Sequence, residues 1–183
     1  MRKNGGHIMQ KTVIVINGSG GVGKDTLCHM AEKHFAVRNI SSIDPIKELA
    51  SQCGWRGEKN DRARKFLADL KQLTIGYNDY PLRWLEKEYE KFLSGGDQVL
   101  FVHIREPQEI EKFVRTIQGK GGRIVTLLIR GGEQFRHRRG AKAYGNSADD
   151  EVEKYNYDFY FTNDHPLNET EAIFIPFFES MLG

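Results

Sequence analysis

A glycine-rich stretch near the start of the chain carries the residue types that bind a polyphosphate. Residues 18–26 are Gly-Ser-Gly-Gly-Val-Gly-Lys-Asp-Thr. Gly18, Gly23 and Lys24 fit the pattern G-x-x-x-x-G-K-[ST], in which backbone N–H groups surround phosphates and the lysine reaches the outermost of them. We therefore expect a nucleoside triphosphate to bind at Gly18, Gly20, Gly21, Val22, Gly23, Lys24, Asp25 and Thr26.

The sequence on either side of this stretch supports that interpretation. Residues 12–16, Thr-Val-Ile-Val-Ile, form a β-branched run typical of a buried parallel strand. Leu27, Met30 and Ala31 then recur at helical spacing. A helix that begins here points its first N–H groups and the positive end of its dipole at the loop, which stabilises an anion. The alternative, a tight turn with no ligand, is disfavoured because motif and context agree.

Asp25 stands where this pattern has a serine or threonine, whose hydroxyl binds magnesium. A carboxylate beside a triphosphate repels it unless Mg²⁺ lies between them, and Mg²⁺ readily accepts carboxylate oxygen. We expect Asp25 to bind Mg²⁺ directly or through water, and Thr26 to bind an inner phosphate. The alternative is that Asp25 only favours the start of the helix, where a negative charge interacts well with the dipole.

Size and charge limit the function classes open to the chain. Its 183 residues suffice for one α/β domain and are too few for two ordinary ones. Lys and Arg total 27 against 25 Asp and Glu, a net charge of +2. This balance favours neither a nucleic-acid binder nor a membrane-surface protein. We expect a monomer or homodimer that acts on a small molecule.

The cysteines and the apolar runs indicate a cytoplasmic protein. Cys28 and Cys53 show no metal-ligand spacing and no disulfide framework. No apolar run reaches the length of a membrane span, and residues 1–10 lack the apolar middle of a signal peptide.

Apolar periodicity predicts strands that alternate with helices along the chain. The expected strands are 12–16, 37–43, 99–104, 123–129 and 157–161. The expected helices are one after Lys24, then 44–53, 61–75, 81–93, 106–117 and 166–181, the last of them kinked or interrupted by Pro176. The helix 61–75 is expected to end at Gly76 and to have one apolar face, formed by Phe66, Leu67, Leu70, Leu73 and Thr74. Such alternation predicts a three-layer α/β fold, with a parallel sheet of about five strands and helices on both faces.

Ligands of such a sheet bind beyond the carboxyl ends of its strands, so the residues that follow each strand are candidates. Arg105 follows the third strand, and we expect its planar guanidinium to hold a phosphate. Glu106 either caps the next helix or joins the magnesium site. Arg130 follows the fourth strand, and Asn163 follows the fifth.

Residues 130–147 form a glycine-containing basic segment that we interpret as a short lid. Arg130, Arg136 and Arg139 would neutralise charge on a transferred phosphoryl group and exclude water when the lid closes. A solvated basic loop or a nucleic-acid patch is the alternative. The acidic stretch that follows, 149–153, either pairs with the lid or starts a helix.

The helical region 44–94 contains the candidates for binding a second phosphate. Asp44, followed by Pro45, fits an N-cap. Lys47 follows it, and Arg62 and Arg64 lie in the first turn of the third expected helix, where positive charge opposes the dipole. Each alone fits a surface charge, but together with Arg105 they fit a phosphorylated acceptor.

Three segments carry a resemblance to a known family. Gly23-Lys24-Asp25-Thr26, the segment 44–50 and the arginine-bearing helix from Asp61 resemble the deoxynucleoside monophosphate kinases of phages and their bacterial relatives. The rest looks like the wider nucleoside monophosphate kinase group, which includes adenylate kinases and dephospho-coenzyme A kinases. The resemblance implies a single P-loop NTPase domain over residues 1–183.

The resemblance also implies roles for individual residues. Lys24 would polarise the β- and γ-phosphates of ATP, and Arg105 and Arg64 would hold the acceptor phosphate. The lid arginines would be Arg130, Arg136 and Arg139, and Asn163 and Asp164 would lie near the ATP base. The sequence departs from the group at the end of the third strand, where His103 and Ile104 replace an acidic residue that organises magnesium.

The resulting prediction is an ATP- and Mg²⁺-dependent kinase whose acceptor carries a phosphate, above all a (deoxy)nucleoside monophosphate. Dephospho-coenzyme A stays open as an acceptor, and so does phosphomevalonate, because animal-type phosphomevalonate kinases share the Gly-Lys-Asp variant. A P-loop ATPase or nucleotide sensor is a further alternative, although lid arginines serve little purpose in a simple binder. A nucleic-acid end kinase would need a more basic surface.

Overall fold

The fold is an alternation of strands and helices. A computed structural model describes residues 10–132 and 152–183. The strands are β1 (Thr12–Asn17), β2 (Val37–Ser41), β3 (Val99–His103), β4 (Arg123–Gly131) and β5 (Phe159–Asn163). The helices are α1 (Lys24–Glu32), α2 (Asp44–Gln52), α3 (Asp61–Asn78), α4 (Tyr80–Ser94), α5 (Pro107–Gly119) and α6 (Leu167–Leu182), and Val152–Lys154 forms one 3₁₀ turn.

The five strands form one parallel sheet in the order β2-β3-β1-β4-β5. All six residues of β1 are buried because strands lie on both of its sides and helices on both of its faces. The carboxyl end of β1 therefore opens between the ends of β3 and β4. This is the place where open α/β sheets bind their ligands, and the predicted α/β architecture is confirmed.

Each face of the sheet has its own apolar core. On one face, Leu27 and Met30 of α1 and the aromatic residues Phe174 and Phe178 of α6 pack against β1, β3 and β4. On the other face, α4 and α5 contribute Leu85, Tyr89, Phe92, Ile110, Phe113 and Ile117. The two cores hold β1 rigidly and so fix where the chain enters the glycine-rich stretch.

Several predicted boundaries differ from the structure. The helix α3 continues through Gly76 and ends at Asn78, and the φ of its C-cap Asp79, 52°, lies in the left-handed region. The helix α6 runs through Pro176 without interruption. The strand β5 begins two residues later than predicted, because Tyr157 is buried in the α5-side core before the strand starts. Within the described residues, no helix combines the length and the apolarity needed to cross a membrane.

The helices α2, α3 and α4 pack against one another at the β2 side of the sheet. Asn60 caps α3 by accepting a hydrogen bond from the N–H of Ala63 at 2.9 Å. Only Ala63 and Lys71 of α3 are buried, and Leu73, which we expected on the packed face, is 71% exposed. This helix therefore presents most of its surface to solvent.

Candidate functional site

The phosphate loop, residues 18–23, joins β1 to α1 through three glycines with positive φ. Gly18, Gly21 and Gly23 have φ of 145°, 80° and 92°. A Cβ on Gly18 would lie 2.4 Å from the carbonyl oxygen of Ile129 in β4, so the loop packs too closely for any other residue. The glycine spacing is therefore explained by backbone conformation and close approach, both of which let N–H groups surround a phosphate.

Lys24 is the first residue of α1, directly after Gly23 at the N-cap position. Its ammonium donates hydrogen bonds to the carbonyl oxygens of Gly18 (2.6 Å) and Ser19 (3.0 Å). The positive charge thus lies across the loop and beside the N-terminus of α1. Loop, ammonium and helix dipole all favour an anion at this point.

Asn163, the last residue of β5, contacts the phosphate loop itself. Its Nδ2 donates a hydrogen bond to the carbonyl oxygen of Val22 at 2.9 Å. A Cβ on Gly23 would lie 2.4 Å from this nitrogen, so Asn163 fills the space that a side chain would need. The structure thus gives Asn163 a contact within the predicted nucleotide site, and its proximity to a base stays a prediction.

Four predicted site residues affect the pKa of His103. Burial lowers the pKa of His103 below its ordinary value of 6.5. The carboxylates of Asp25 and Asp44 oppose this shift, and the cations of Lys24 and Arg105 reinforce it. His103 ends β3 beside β1, and its Nε2 lies 2.8 Å from Oδ1 of Asn39. Its imidazole is consequently neutral at neutral pH, and the four charged groups lie close enough to act on it.

The described residues fit Mg²⁺ only with help from a substrate. Asp25 and Thr26 are exposed in the first turn of α1. Nowhere in the described ranges do three His, Cys, Asp or Glu side chains form a group that could hold a metal. A single exposed carboxylate suits Mg²⁺, which keeps several waters and shares ligands with substrate phosphates.

Arg105 is exposed two residues beyond the end of β3, at the carboxyl edge of the sheet. Its neighbour Glu106 forms an ion pair with Lys71, and its part in a magnesium site stays a prediction. The Oε2 of Glu106 lies 2.6 Å from the ammonium of Lys71, whose side chain is 7% exposed. Glu106 occupies the N-cap position of α5 but makes no side-chain capping bond. The ion pair instead ties α3 to the residue next to Arg105.

Asp44 and Lys47 interact with each other at the end of β2. The Oδ2 of Asp44 accepts a hydrogen bond from the N–H of Ser41 at 2.7 Å, and its Oδ1 accepts one from Nζ of Lys47 at 3.1 Å. The N-cap of α2 is Ile43 rather than Asp44, which is the first helical residue. The carboxylate therefore stabilises the turn that precedes the helix and does not cap the helix.

The remaining predicted residues are the arginines of α3 and of the predicted lid. Arg62 and Arg64 are exposed at the start of α3, and Arg64 lies 3.9 Å from Asp61. Arg130 lies within β4, where its guanidinium binds Glu153 (2.6 Å) and stacks over the ring of Tyr160 (4.5 Å). Glu153 of the acidic stretch thus pairs with Arg130, the first of the predicted lid arginines. Arg136 and Arg139 lie outside the described residues, so their role stays a prediction.

Sequence reasoning missed two groups near the site. Lys71 lies four residues after Leu67 and three before Thr74, on the expected apolar face of α3, and a lysine on such a face is a signal for a buried ion pair. Asn17 is a polar residue at the end of a fully buried strand, and it contacts Gly18, Arg105 and Tyr157. A buried polar residue beside a motif indicates hydrogen bonds that support it.

Solved structures share this fold at low sequence identity. The tunicamycin resistance protein of Deinococcus radiodurans is 13% identical, has a TM-score of 0.58 and aligns over 92% of this chain and 96% of its own. A sugar kinase from Janibacter sp. HTCC2649 is 14% identical, with a TM-score of 0.54 over 93% and 95%. The chain shares the fold of these two structures, a parallel sheet with helices on both faces. No protein-family model and no curated protein sequence matches it.

Proposed function

We propose that the protein is an ATP-dependent kinase that phosphorylates a phosphate-bearing small molecule, namely a (deoxy)nucleoside monophosphate. The observation that carries the proposal is the meeting of two phosphate-binding features at one sheet edge. The phosphate loop with Lys24 lies at the end of β1, and Arg105 follows the end of the adjacent strand β3. The positive charges of both residues lower the pKa of His103, the last residue of β3.

In this proposal the protein works by positioning groups and stabilising charge. The loop N–H groups and Lys24 bind the β- and γ-phosphates of ATP, and Arg105 holds the acceptor phosphate in line with the transferred group. The attacking oxygen of a phosphate acceptor is already anionic at neutral pH, so no strong general base is needed.

Magnesium would be held by Asp25 together with the phosphates, with Thr26 on an inner phosphate. When bound, Mg²⁺ supplies charge neutralisation across the β- and γ-phosphate oxygens. The lid arginines Arg130, Arg136 and Arg139 belong to the same proposal. For Arg130 this requires exchanging its ion pair with Glu153 for a phosphate, which costs little because both side chains are substantially exposed.

The acceptor is tested by measuring ADP formation with MgATP and a panel of acceptors. The panel contains the common ribo- and deoxynucleoside monophosphates, dephospho-coenzyme A, phosphomevalonate and a sample without acceptor. The proposal predicts turnover that depends on one group of nucleoside monophosphates. ADP release that is equal with and without acceptors would instead identify an ATPase or nucleotide sensor.

The same assay tests Arg105. Removing a hydrogen bond to a charged group costs about 1.5–3 kcal/mol, so we expect Arg105→Ala to raise the acceptor KM about ten- to hundredfold with the ATP KM unchanged. Arg115→Ala is the matched control, because Arg115 is an exposed arginine that pairs with Glu111 on α5. Equal acceptor KM values for Arg105→Ala and wild type would remove Arg105 from the acceptor site.

A second candidate is a kinase whose acceptor is a hydroxyl group. Asp44 favours it, since this carboxylate at the end of β2 is 37% exposed and acts on His103. A carboxylate within reach of a hydroxyl accepts its proton during transfer. Under this candidate, Asp44→Asn abolishes turnover of dephospho-coenzyme A, whereas a phosphate acceptor is used with little change.

A further inference from the structure

A buried side-chain amide lies where three segments meet beside the phosphate loop. Asn17 is the last residue of β1 and is 1% exposed. Its Oδ1 accepts a hydrogen bond from the N–H of Gly18 at 2.8 Å. Its Nδ2 donates to the carbonyl oxygen of Arg105 at 3.1 Å and to the hydroxyl oxygen of Tyr157 at 2.7 Å. One amide thus joins the loop, the end of β3 and the chain that leads into β5.

The chemistry of the partners fixes the orientation of this amide. The N–H of Gly18 can only donate and the carbonyl of Arg105 can only accept, so Oδ1 must face Gly18 and Nδ2 must face Arg105 and Tyr157. Both protons of Nδ2 therefore have acceptors, one of them the Tyr157 phenol, which is 3% exposed. Burial raises the pKa of Tyr157 well above its ordinary value of 10, although the Asn17 hydrogen bond opposes this, so the phenol stays neutral.

The two features that bind phosphate in the proposed function both depend on this amide. Gly18 begins the phosphate loop, and it packs so closely on β4 that an added Cβ would collide with the carbonyl oxygen of Ile129. The backbone carbonyl of Arg105 accepts a hydrogen bond from Asn17, and this bond fixes the backbone that carries the Arg105 side chain. A buried network in which the polar groups find partners is rigid, and misplacement of binding groups by about 1 Å is costly in such sites.

We propose that Asn17 and Tyr157 are positioning residues that hold the first peptide of the phosphate loop in register with the backbone of Arg105. The proposal rests on the proposed nucleotide site. Neither side chain contacts a phosphate. Asn17 acts through the N–H of Gly18 and the carbonyl of Arg105, and Tyr157 acts by fixing the amide of Asn17.

The test compares Tyr157→Phe with Tyr155→Phe. Tyr155 is a matched control because its ring packs edge-on against Tyr157 at 5.0 Å, while its hydroxyl is outside the network. Loss of the phenol leaves one buried Nδ2 proton without an acceptor, so we expect Tyr157→Phe to weaken binding of MgATP about three- to tenfold by titration calorimetry. Tyr155→Phe should bind as the wild type does. In an Asn17→Ala background, Tyr157→Phe should have no further effect.

A hydroxyl that only stabilises the fold would lower the melting temperature and leave the affinity of the folded protein unchanged. That result, or an equal loss of affinity in Tyr155→Phe, would overturn the proposal. If the wild type binds no MgATP, the proposed function fails, and amide hydrogen exchange without nucleotide decides the inference. Faster exchange at Gly18 in Tyr157→Phe than in Tyr155→Phe supports the positioning role, and equal rates overturn it.

Discussion

The phosphate loop and the α2–α4 region are held in place by different means. The loop follows a fully buried strand, packs on the backbone of β4 and is bonded by Asn17 and Asn163. The helix α3, in contrast, buries only Ala63 and Lys71, and Lys71 forms an ion pair with Glu106. The difference indicates that backbone geometry specifies the proposed donor side, whereas side chains on a lightly packed helix specify the proposed acceptor side.

On the donor side, the largest expected effect comes from Lys24→Ala. Removing a preorganised charge from a transferred group typically costs about 10²–10³-fold in kcat, and we expect a loss of that size. The unfolding free energy should change little, because the ammonium donates its hydrogen bonds to loop carbonyls at a partly exposed site. Lys33→Ala, at an exposed lysine that pairs with Glu171, is the control for initial-rate and denaturant measurements. Wild-type kcat in Lys24→Ala would refute the donor site.

On the acceptor side, the largest stability effect should come from Lys71→Met. Breaking a buried ion pair leaves a charge without its partner, and because Glu106 is 28% exposed we expect a loss of about 2–3 kcal/mol at neutral pH. The exposed pair of Lys65 with Asp69 is the control, and Lys65→Met should cost under about 0.5 kcal/mol. Equal losses in the two variants would mean that the buried pair does not anchor α3.

The pH dependence of that effect follows from the pKa of Glu106. Burial would raise this pKa, but the Lys71 ammonium and Arg105 lower it below the ordinary value of 4.5. The pair therefore contributes stability above about pH 4.5, and this contribution disappears as the pH falls through the lowered pKa. The difference in unfolding free energy between wild type and Lys71→Met should shrink below pH 4.5. A difference independent of pH would contradict the electrostatic account.

A pair of glycine variants sharpens the contrast between the two regions. Gly18→Ala forces a side chain into a positive-φ position against a β4 carbonyl, and we expect a loss of about 1–3 kcal/mol in unfolding free energy. Gly76→Ala lies inside α3 with open space around it, so it should gain about 0.5–1 kcal/mol. Urea denaturation of both proteins measures the two values, and the same sign for both would contradict the comparison.

Asp25 should give the smallest effect, because it is exposed and only shares the metal with phosphates. We expect Asp25→Asn to raise the Mg²⁺ concentration for half-maximal turnover by about tenfold, as measured in magnesium titrations at saturating ATP. Glu32→Gln at the other end of α1 provides the control. An unchanged magnesium requirement in Asp25→Asn would mean that this carboxylate does not bind the metal. Its role would then be limited to a favourable interaction with the helix dipole.

The sequence predicted the elements that depend on local patterns. The glycine spacing before Lys24 and the β-branched runs of β1 and β3 suffice for the loop and the central sheet, because backbone conformation and burial determine both. The predictions at Gly76 and at the start of β5 were wrong. In the first case α3 continues through the glycine, which costs a helix only about 0.5–1 kcal/mol. In the second case Tyr157 is buried in the α5-side core, where its hydroxyl accepts a hydrogen bond from Asn17, which is 140 residues away in the chain.

The acceptor side was harder to predict because its residues act through distant partners. Glu106 pairs with Lys71 of α3 and does not cap α5 with its side chain, and Asp44 binds Ser41 and Lys47. Such pairings depend on how helices pack, which apolar periodicity does not specify. The sequence left open whether the acidic stretch 149–153 pairs with the lid segment, and the structure shows one such pair, between Glu153 and Arg130.

The central claim is that one site holds two phosphate-bearing groups, one at Lys24 and the other at Arg105. A bisubstrate analogue tests it directly, with adenosine joined through a chain of phosphates to the nucleoside that the acceptor panel selects. We expect calorimetry to show binding at least about a hundredfold tighter than that of ATP, because the second group binds at high effective concentration. Arg105→Ala should reduce this advantage strongly. An analogue that binds no more tightly than ATP would contradict the two-phosphate site.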